Sequence, residues 1–196
     1  MTSGRIIFLN GTSSSGKSSI ARELLAVLDD GVFFHTAVDG FNAMRTKRPL
    51  PPEALDAALL RTRMGFHRAV AAMAEVGNGV VVDHVLSEDW RLLDCLAVLP
   101  TEDVVFVGVR CPPRELVRRE LARGDRPSGL AMRQYDVVHR HGGHDLVYDV
   151  ECDTSAAGPR ECAELIKEFL PRRLAPTAFS RLRDRHAVGA GEPPPG

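Results

Sequence analysis

The sequence predicts an α/β fold, a five-stranded parallel sheet with helices on both faces, and three observations carry that expectation. Short β-branched or aromatic runs alternate with longer amphipathic stretches, the rhythm of successive βαβ units. The apolar runs are continuous rather than alternating, as in strands buried on both faces. With 196 residues and 44% hydrophobic content, the chain can bury the core of one domain.

Each element follows in order. A first strand over 6–10 leads through a glycine-rich turn into a helix over 17–28, and a second strand is expected over 32–38. In the long helix over 52–76, Leu55, Leu59, Phe66, Val70 and Met73 recur at helical spacing and should face the sheet. After a third strand, 80–85, Ser87 with Glu88 and Asp89 reads as the capped, acidic start of a helix over 87–99. The fourth strand is 104–109, and Pro112 and Pro113 suit the entry of a helix over 113–122. A helix over 130–140, a fifth strand over 146–152 and a helix over 160–170 complete a domain spanning 1–171. Beyond it the pattern fails, and 172–196 reads as a basic, Pro/Gly-rich, partly disordered C-terminal tail.

Composition narrows the function classes. The 25 basic and 26 acidic residues nearly cancel, which argues against the broad basic field of a nucleic-acid binder. Cys95, Cys111, Cys152 and Cys162 form no C-x-x-C pair, so a reducing compartment fits better than a disulfide framework or a zinc knuckle. The first apolar run, Ile6-Ile7-Phe8-Leu9, is too short for a signal segment or a membrane span. A cytoplasmic protein with neither nucleic-acid nor membrane partners is expected, as a monomer or a homo-oligomer.

The segment Gly11-Thr12-Ser13-Ser14-Ser15-Gly16-Lys17-Ser18 satisfies G-x-x-x-x-G-K-[ST], directly after a predicted strand and directly before a predicted helix. This is a P-loop. Its glycines let successive N–H groups point inward at phosphate oxygens, and the helix beginning near Ser18 and Ser19 adds the positive end of its dipole. Lys17 would reach the β- and γ-phosphates of ATP, and the Ser18 hydroxyl would ligate Mg2+.

Two carboxylates turn this loop toward phosphoryl transfer. Asp39, at the C-terminal end of the second strand, is placed to take the proton of an attacking substrate hydroxyl. Asp83 closes the apolar run Gly79-Val80-Val81-Val82 as a Walker-B-like magnesium ligand, with His84 beside it as a substrate contact. Arg119, Arg123 and Arg126 supply positive charge from a lid expected over about 118–130, Arg119 and Arg123 sharing one helical face. His139, His141 and His144 surround Gly142-Gly143 but complete no tetrahedral ligand set, so a polar loop is favoured over a metal site.

With the P-loop, the runs Val107-Gly108-Val109-Arg110-Cys111, Ala122-Arg123-Gly124-Asp125-Arg126, Tyr135-Asp136-Val137-Val138-His139 and Tyr148-Asp149-Val150-Glu151-Cys152-Asp153-Thr154 make the sequence resemble chloramphenicol phosphotransferase-like proteins, from residue 5 to about 170. The resemblance implies a three-layer P-loop kinase core of the adenylate/shikimate kinase type with a short helical lid. It also implies ATP- and Mg-dependent phosphorylation of an antibiotic 3-hydroxyl, hence antibiotic inactivation or resistance. In that pattern Asp39, in Val38-Asp39, is the catalytic base, and Arg123 and Arg126 are the lid arginines. The sequence departs from it on the acceptor side, where 40–52 is short and Gly40 replaces a small polar residue. Phe41, Met44, Phe66 and Trp90 are candidates for an apolar acceptor pocket. A nucleoside or sugar kinase of primary metabolism, and a nucleotide-binding regulatory module without an acceptor, stay open as alternatives.

Overall fold

The computed structural model describes residues 3–123 and 129–186, apart from the side chain of Arg123. Its elements in chain order are β1 (Ile6–Asn10), α1 (Lys17–Val27), β2 (Phe33–Ala37), α2 (Val38–Ala43), α3 (Pro52–Glu75), β3 (Gly79–His84), α4 (Asp89–Val98) and β4 (Val104–Arg110). There follow α5 (Pro113–Arg123), α6 (Leu130–Tyr135), β5 (Arg140–His141), β6 (His144–Asp145), β7 (Val150–Asp153), α7 (Pro159–Phe169) and α8 (Ala178–His186). The strands β2, β3, β1, β4 and β7 form one sheet in that order, with every neighbouring pair parallel. β5 and β6 form a separate antiparallel hairpin.

The continuous apolar runs have the expected cause. Every residue of β1 and β3 is buried, whereas β2, at the sheet edge, is only partly so. Because all five strands run the same way, their C-terminal ends share one edge, where Asn10 pairs with His84 and Ala37 with Asp83 in the register. The loops leaving that edge build the cleft, as in other open α/β sheets.

Alternation along the strands sorts the core into two layers. Ile7, Leu9, Val81, Val105 and Val107 pack with Ile20 and Leu24 of α1 and Ile166 of α7, a layer whose buried residues are all aliphatic or cysteine. Phe8, Val80, Val82 and Phe106 pack instead with Phe66 of α3, Leu92 of α4 and Phe179 of α8. This second layer is aromatic: the Phe8 ring centre lies 5.8 Å from that of Phe106 and 5.6 Å from that of Phe179. In the predicted stripe of α3, Phe66 and Val70 are buried and Met73 packs beside them, whereas Leu55 and Leu59 are only half-buried. Cys95 belongs to the aromatic layer, Cys152 and Cys162 to the aliphatic one, and Cys111 to a small third cluster with Leu116 and Ala131. All four are buried free thiols.

The largest departure from the sequence reading is the C-terminal tail. Instead of irregular chain, α8 buries Ala178, Phe179 and Leu182 in the aromatic layer. Thr177 Oγ1 accepts a hydrogen bond from Ser180 N at 3.1 Å, and Asp149 Oδ1 accepts one from Ala178 N at 2.8 Å, so the first turn is capped twice. The other Asp149 oxygen accepts from Phe106 N at 2.8 Å, fastening α8 to β4. Residues 187–196 lie outside the described part.

Smaller differences have local causes. The expected fifth strand starts only at Val150, because Leu146 and Tyr148 turn into the aromatic layer. The helix expected over 130–140 ends at Tyr135, where the chain heads for the hairpin. Ser87 does not cap α4, whose N-cap is Glu88, a residue occupied with Trp90 and Arg91 instead. α2 begins at Val38, which puts Asp39 in the first turn of a helix rather than on a strand end. No helix among the described residues is long and apolar enough to cross a membrane.

Candidate active site

The loop between β1 and α1 is shaped by two glycines. At Gly11 a Cβ would stand 2.5 Å from the Val109 carbonyl oxygen, so no larger residue fits between β1 and β4. Gly16, the N-cap of α1, has φ 99°, a left-handed conformation natural to glycine. Among the described residues the amides of Ser14, Gly16 and Ser18 make no hydrogen bond, which is the donor array a phosphate requires. Lys17 is buried, its Nζ donating to Gly11 O at 2.9 Å and Thr12 O at 2.7 Å. The loop is braced from outside: Ser13 N donates to Gln134 Oε1 at 2.7 Å, and Thr154 Oγ1 lies 2.9 Å from Ser15 O.

Asp83 stands across from the loop. Its Oδ2 accepts from Ser18 Oγ at 2.5 Å and its Oδ1 lies 3.9 Å from Lys17 Nζ. A hydroxyl and a carboxylate oxygen side by side are the hard donors that Mg2+ prefers, so the residues present fit that ion. Asp39 lines the same cleft from α2. The cleft has a volume of about 1210 Å³ and runs from the loop after β7, 154–159, past the P-loop to α3 and α4. Arg118 and Arg119 border it, and both bind Glu115, holding its carboxyl down to about 2. Arg119 also donates to Thr154 Oγ1 at 2.9 Å and Thr154 O at 2.7 Å.

The far wall is polar and buried. His84 is 0% exposed, and burial, then His67 and the guanidinium groups of Arg91 and Arg63, push it well below its ordinary value. Its Nε2 lies 3.1 Å from His67 Nε2, and His67 Nδ1 lies 2.6 Å from Asp94 Oδ2, which Arg68 also binds. Asp94 requires a proton on His67 Nδ1, so His67 Nε2 is an acceptor and His84 Nε2 must donate to it. That leaves His84 Nδ1 as a lone pair, buried and without a partner among the described residues. Burial outweighs the pull of Asp94 and keeps His67 below its ordinary value as well.

The sequence profile of chloramphenicol phosphotransferase-like proteins matches residues 4–171. The chain belongs to this family. Two proteins of Mycobacterium tuberculosis, one from each of two strains and each named for a proposed O-phosphotransferase activity, are 33% identical to it, over 94% of this chain and 90% of theirs. Among solved structures, a sugar kinase from Janibacter superposes with a TM-score of 0.62 at 18% identity, covering 89% of this chain and 98% of that one. An APS kinase of M. tuberculosis, in complex with AMPPNP and APS, gives a TM-score of 0.62 at 17% identity, covering 87% and 99%. The fold is therefore a P-loop kinase core, shared even at low identity.

Within this family member, the structure gathers most of the expected residues and separates others. Ser13, Ser14, Gly16, Lys17, Ser18, Ser19, Asp39, Asp83, His84 and Arg119 line one cleft. Arg126 and the Arg123 side chain lie outside the described residues. Phe41, Met44 and Trp90 do not line the cleft, which corrects the expected apolar pocket. The Phe41 ring packs edge-on against Phe66 with centres 5.0 Å apart, Met44 is 71% exposed, and Trp90 donates to Glu88 Oε2 at 2.5 Å. Phe66 is core, with 0% exposure.

The histidines of the glycine turn go separate ways. His139 Nδ1 lies 2.7 Å from the Tyr148 hydroxyl, His141 bridges Asp89 and Leu86 O, and His144 sits on the exposed hairpin. Among the described residues no group of three or more His, Cys, Asp or Glu converges as a metal site would. Sequence reasoning missed Arg63, Arg91, Gln134 and Thr154, and only Thr154, next to an acid at a strand end, carried a usable signal.

Proposed function

We propose that this chain transfers the γ-phosphoryl group of ATP, with Mg2+, to a hydroxyl of a small molecule. The observation that carries the reading is Asp39 and Asp83 on the same cleft as Lys17 and Ser18. The volume exceeds the ~300–1,000 Å³ of an ordinary ligand pocket, leaving room for a nucleotide and an acceptor together. The Gly11 to Ser18 loop would hold the phosphates of the nucleotide, and the end of the cleft lined by 154–159 would take its base. Ser18 and Asp83 would hold the metal, which neutralises charge on the phosphate oxygens.

Asp39 accepts the proton of the acceptor hydroxyl as that oxygen bonds to the γ-phosphorus and the bond to the ADP oxygen breaks. The products are ADP and a phosphate monoester. Lys17 stabilises the charge that gathers on the transferring group, and Arg123 and Arg126, whose side chains lie outside the described residues, are the further cations proposed for that role.

The test is incubation with Mg-ATP and a library of hydroxylated compounds, read as the ~80 Da gain of a phosphate group. Asp39→Asn is expected to lower kcat by about 10²–10⁴ while ATP binding is retained. A loss below tenfold removes Asp39 from the role of base, and ADP release that no compound stimulates removes the phosphotransferase reading.

A further inference from the structure

The acceptor wall carries more positive charge than its own packing uses. Arg91 is 8% exposed, and its partners account for only part of its five N–H donors. Nη1 donates to Val85 O at 3.0 Å, Nη2 pairs with Glu88, and Nε is buried without a partner among the described residues. Arg63, half-buried on α3, lines the same cleft and enters no ion pair among the described residues. Burial and the nearby Arg63 both hold Arg91 below the ordinary arginine range, and Glu88 offsets them only in part.

The neighbouring acids are otherwise engaged. Asp94 is bound by His67 and Arg68, and Asp89 lies 2.8 Å from His141. His84, between these groups, is held neutral and cancels nothing. Arg63 and Arg91 set against the carboxylate of Glu88 leave one net positive charge at this half-buried end of the cleft, while the cleft's other carboxylates, Asp39 and Asp83, serve the proton and the metal in the proposed reaction. An uncompensated cation in such a place is costly unless a ligand answers it.

We propose that Arg63 and Arg91 form an anion subsite, and that the acceptor is a hydroxy compound bearing a carboxylate away from the hydroxyl that is phosphorylated. A carboxylate matches the single net charge and can take two parallel N–H donors from one guanidinium. This inference rests on the phosphotransferase reading and narrows it to acidic acceptors.

The experiment uses the full chain with Mg-ATP and matched triplets on one carbon skeleton: a hydroxy carboxylate, its methyl ester and its phosphate-ester counterpart. Chloramphenicol serves as a neutral antibiotic. The acid is expected to exceed its methyl ester at least about tenfold in kcat/KM. Arg63→Ala, at a half-buried position that leaves the fold intact by its melting temperature, is expected to raise the acceptor KM roughly 10–100-fold. The KM for ATP should not move, the acid-to-ester ratio should fall toward one, and Arg63→Lys should restore part of both.

Esters or chloramphenicol used as well as acids, or an acid-to-ester ratio untouched by Arg63→Ala, overturn the subsite and leave the phosphotransferase reading standing. A preference for the phosphate ester over the acid overturns the carboxylate assignment. Failure to phosphorylate any compound, with ATP still bound, overturns the phosphotransferase reading and this inference with it.

Discussion

The two faces of the sheet solve different problems. On the aliphatic face, α1 and α7 pack against β-branched strand residues, and the chemistry above them is almost all backbone: a contiguous loop with two enforced glycines and one lysine. On the aromatic face, α3, α4 and α8 pack around Phe8, Phe66, Phe106 and Phe179, and the chemistry above them is all side chain, drawn from separate segments at Arg63, His84 and Arg91. A phosphate is the same in every nucleotide, so a local backbone shape suffices to hold it. An acceptor differs from enzyme to enzyme, and recognising it takes dispersed side chains whose placement depends on the whole layer beneath.

That contrast can be broken most directly at the C-terminus. Ending the chain at residue 171 removes α8, strips the cover from Phe8 and Phe106, and deletes Phe179, whose burial alone is worth roughly 1.5–3 kcal/mol. The 1–171 fragment is expected to lose cooperative thermal unfolding. A fragment that melts like the full chain would show that the aromatic layer stands without its last helix.

A second change sharpens the contrast from the other side. Lys17→Met keeps most of the buried volume, so the melting temperature should stay close to that of the unaltered protein. Phosphoryl transfer should fall by about 10²–10³, the usual effect of removing one charge-stabilising donor. Calorimetry and turnover measured on the same preparation separate the two effects.

The smallest expected effect comes with acid. His139, buried against Tyr148, is pushed from 6.5 to about 3 by burial first and then by Arg110 and Lys17. Between those values the unfolded chain binds a proton that the folded chain refuses, so stability is full above pH 6.5 and falls as pH drops. By pH 5 the loss from this one residue is about 2 kcal/mol. His139→Gln should flatten the denaturation midpoint between pH 7 and 5, and an unchanged pH slope would assign the effect elsewhere.

The same division explains what could be read from the sequence. β1, the P-loop and α1 were legible because strand, glycine spacing and helix are contiguous and each obeys a local rule. Asp83 was legible for the same reason, an acid closing an apolar run. Arg63 and Arg91 were not, because nothing local distinguishes a cleft arginine from a solvated one. Their meaning lies in the unpaired donors that packing leaves. Aromaticity pointed elsewhere: Phe41 and Trp90 suggested an acceptor pocket, yet Phe41 packs against Phe66, Trp90 bonds to Glu88, and neither lines the cleft. Composition hid α8, since arginines at Arg181, Arg183 and Arg185 masked Ala178, Phe179 and Leu182. The pair Thr177 and Ser180, a capping residue and its partner three positions on, was the overlooked cue.

The distribution of thiols gives each packing layer its own built-in reporter. Cys95 sits in the aromatic layer, Cys152 and Cys162 in the aliphatic one, and Cys111 in the small cluster under α5 and α6. All are shielded in the folded chain, so an alkylating reagent can label a given cysteine only when its surroundings open. Labelling each site against time in dilute denaturant would therefore show whether the two faces come apart together or in sequence.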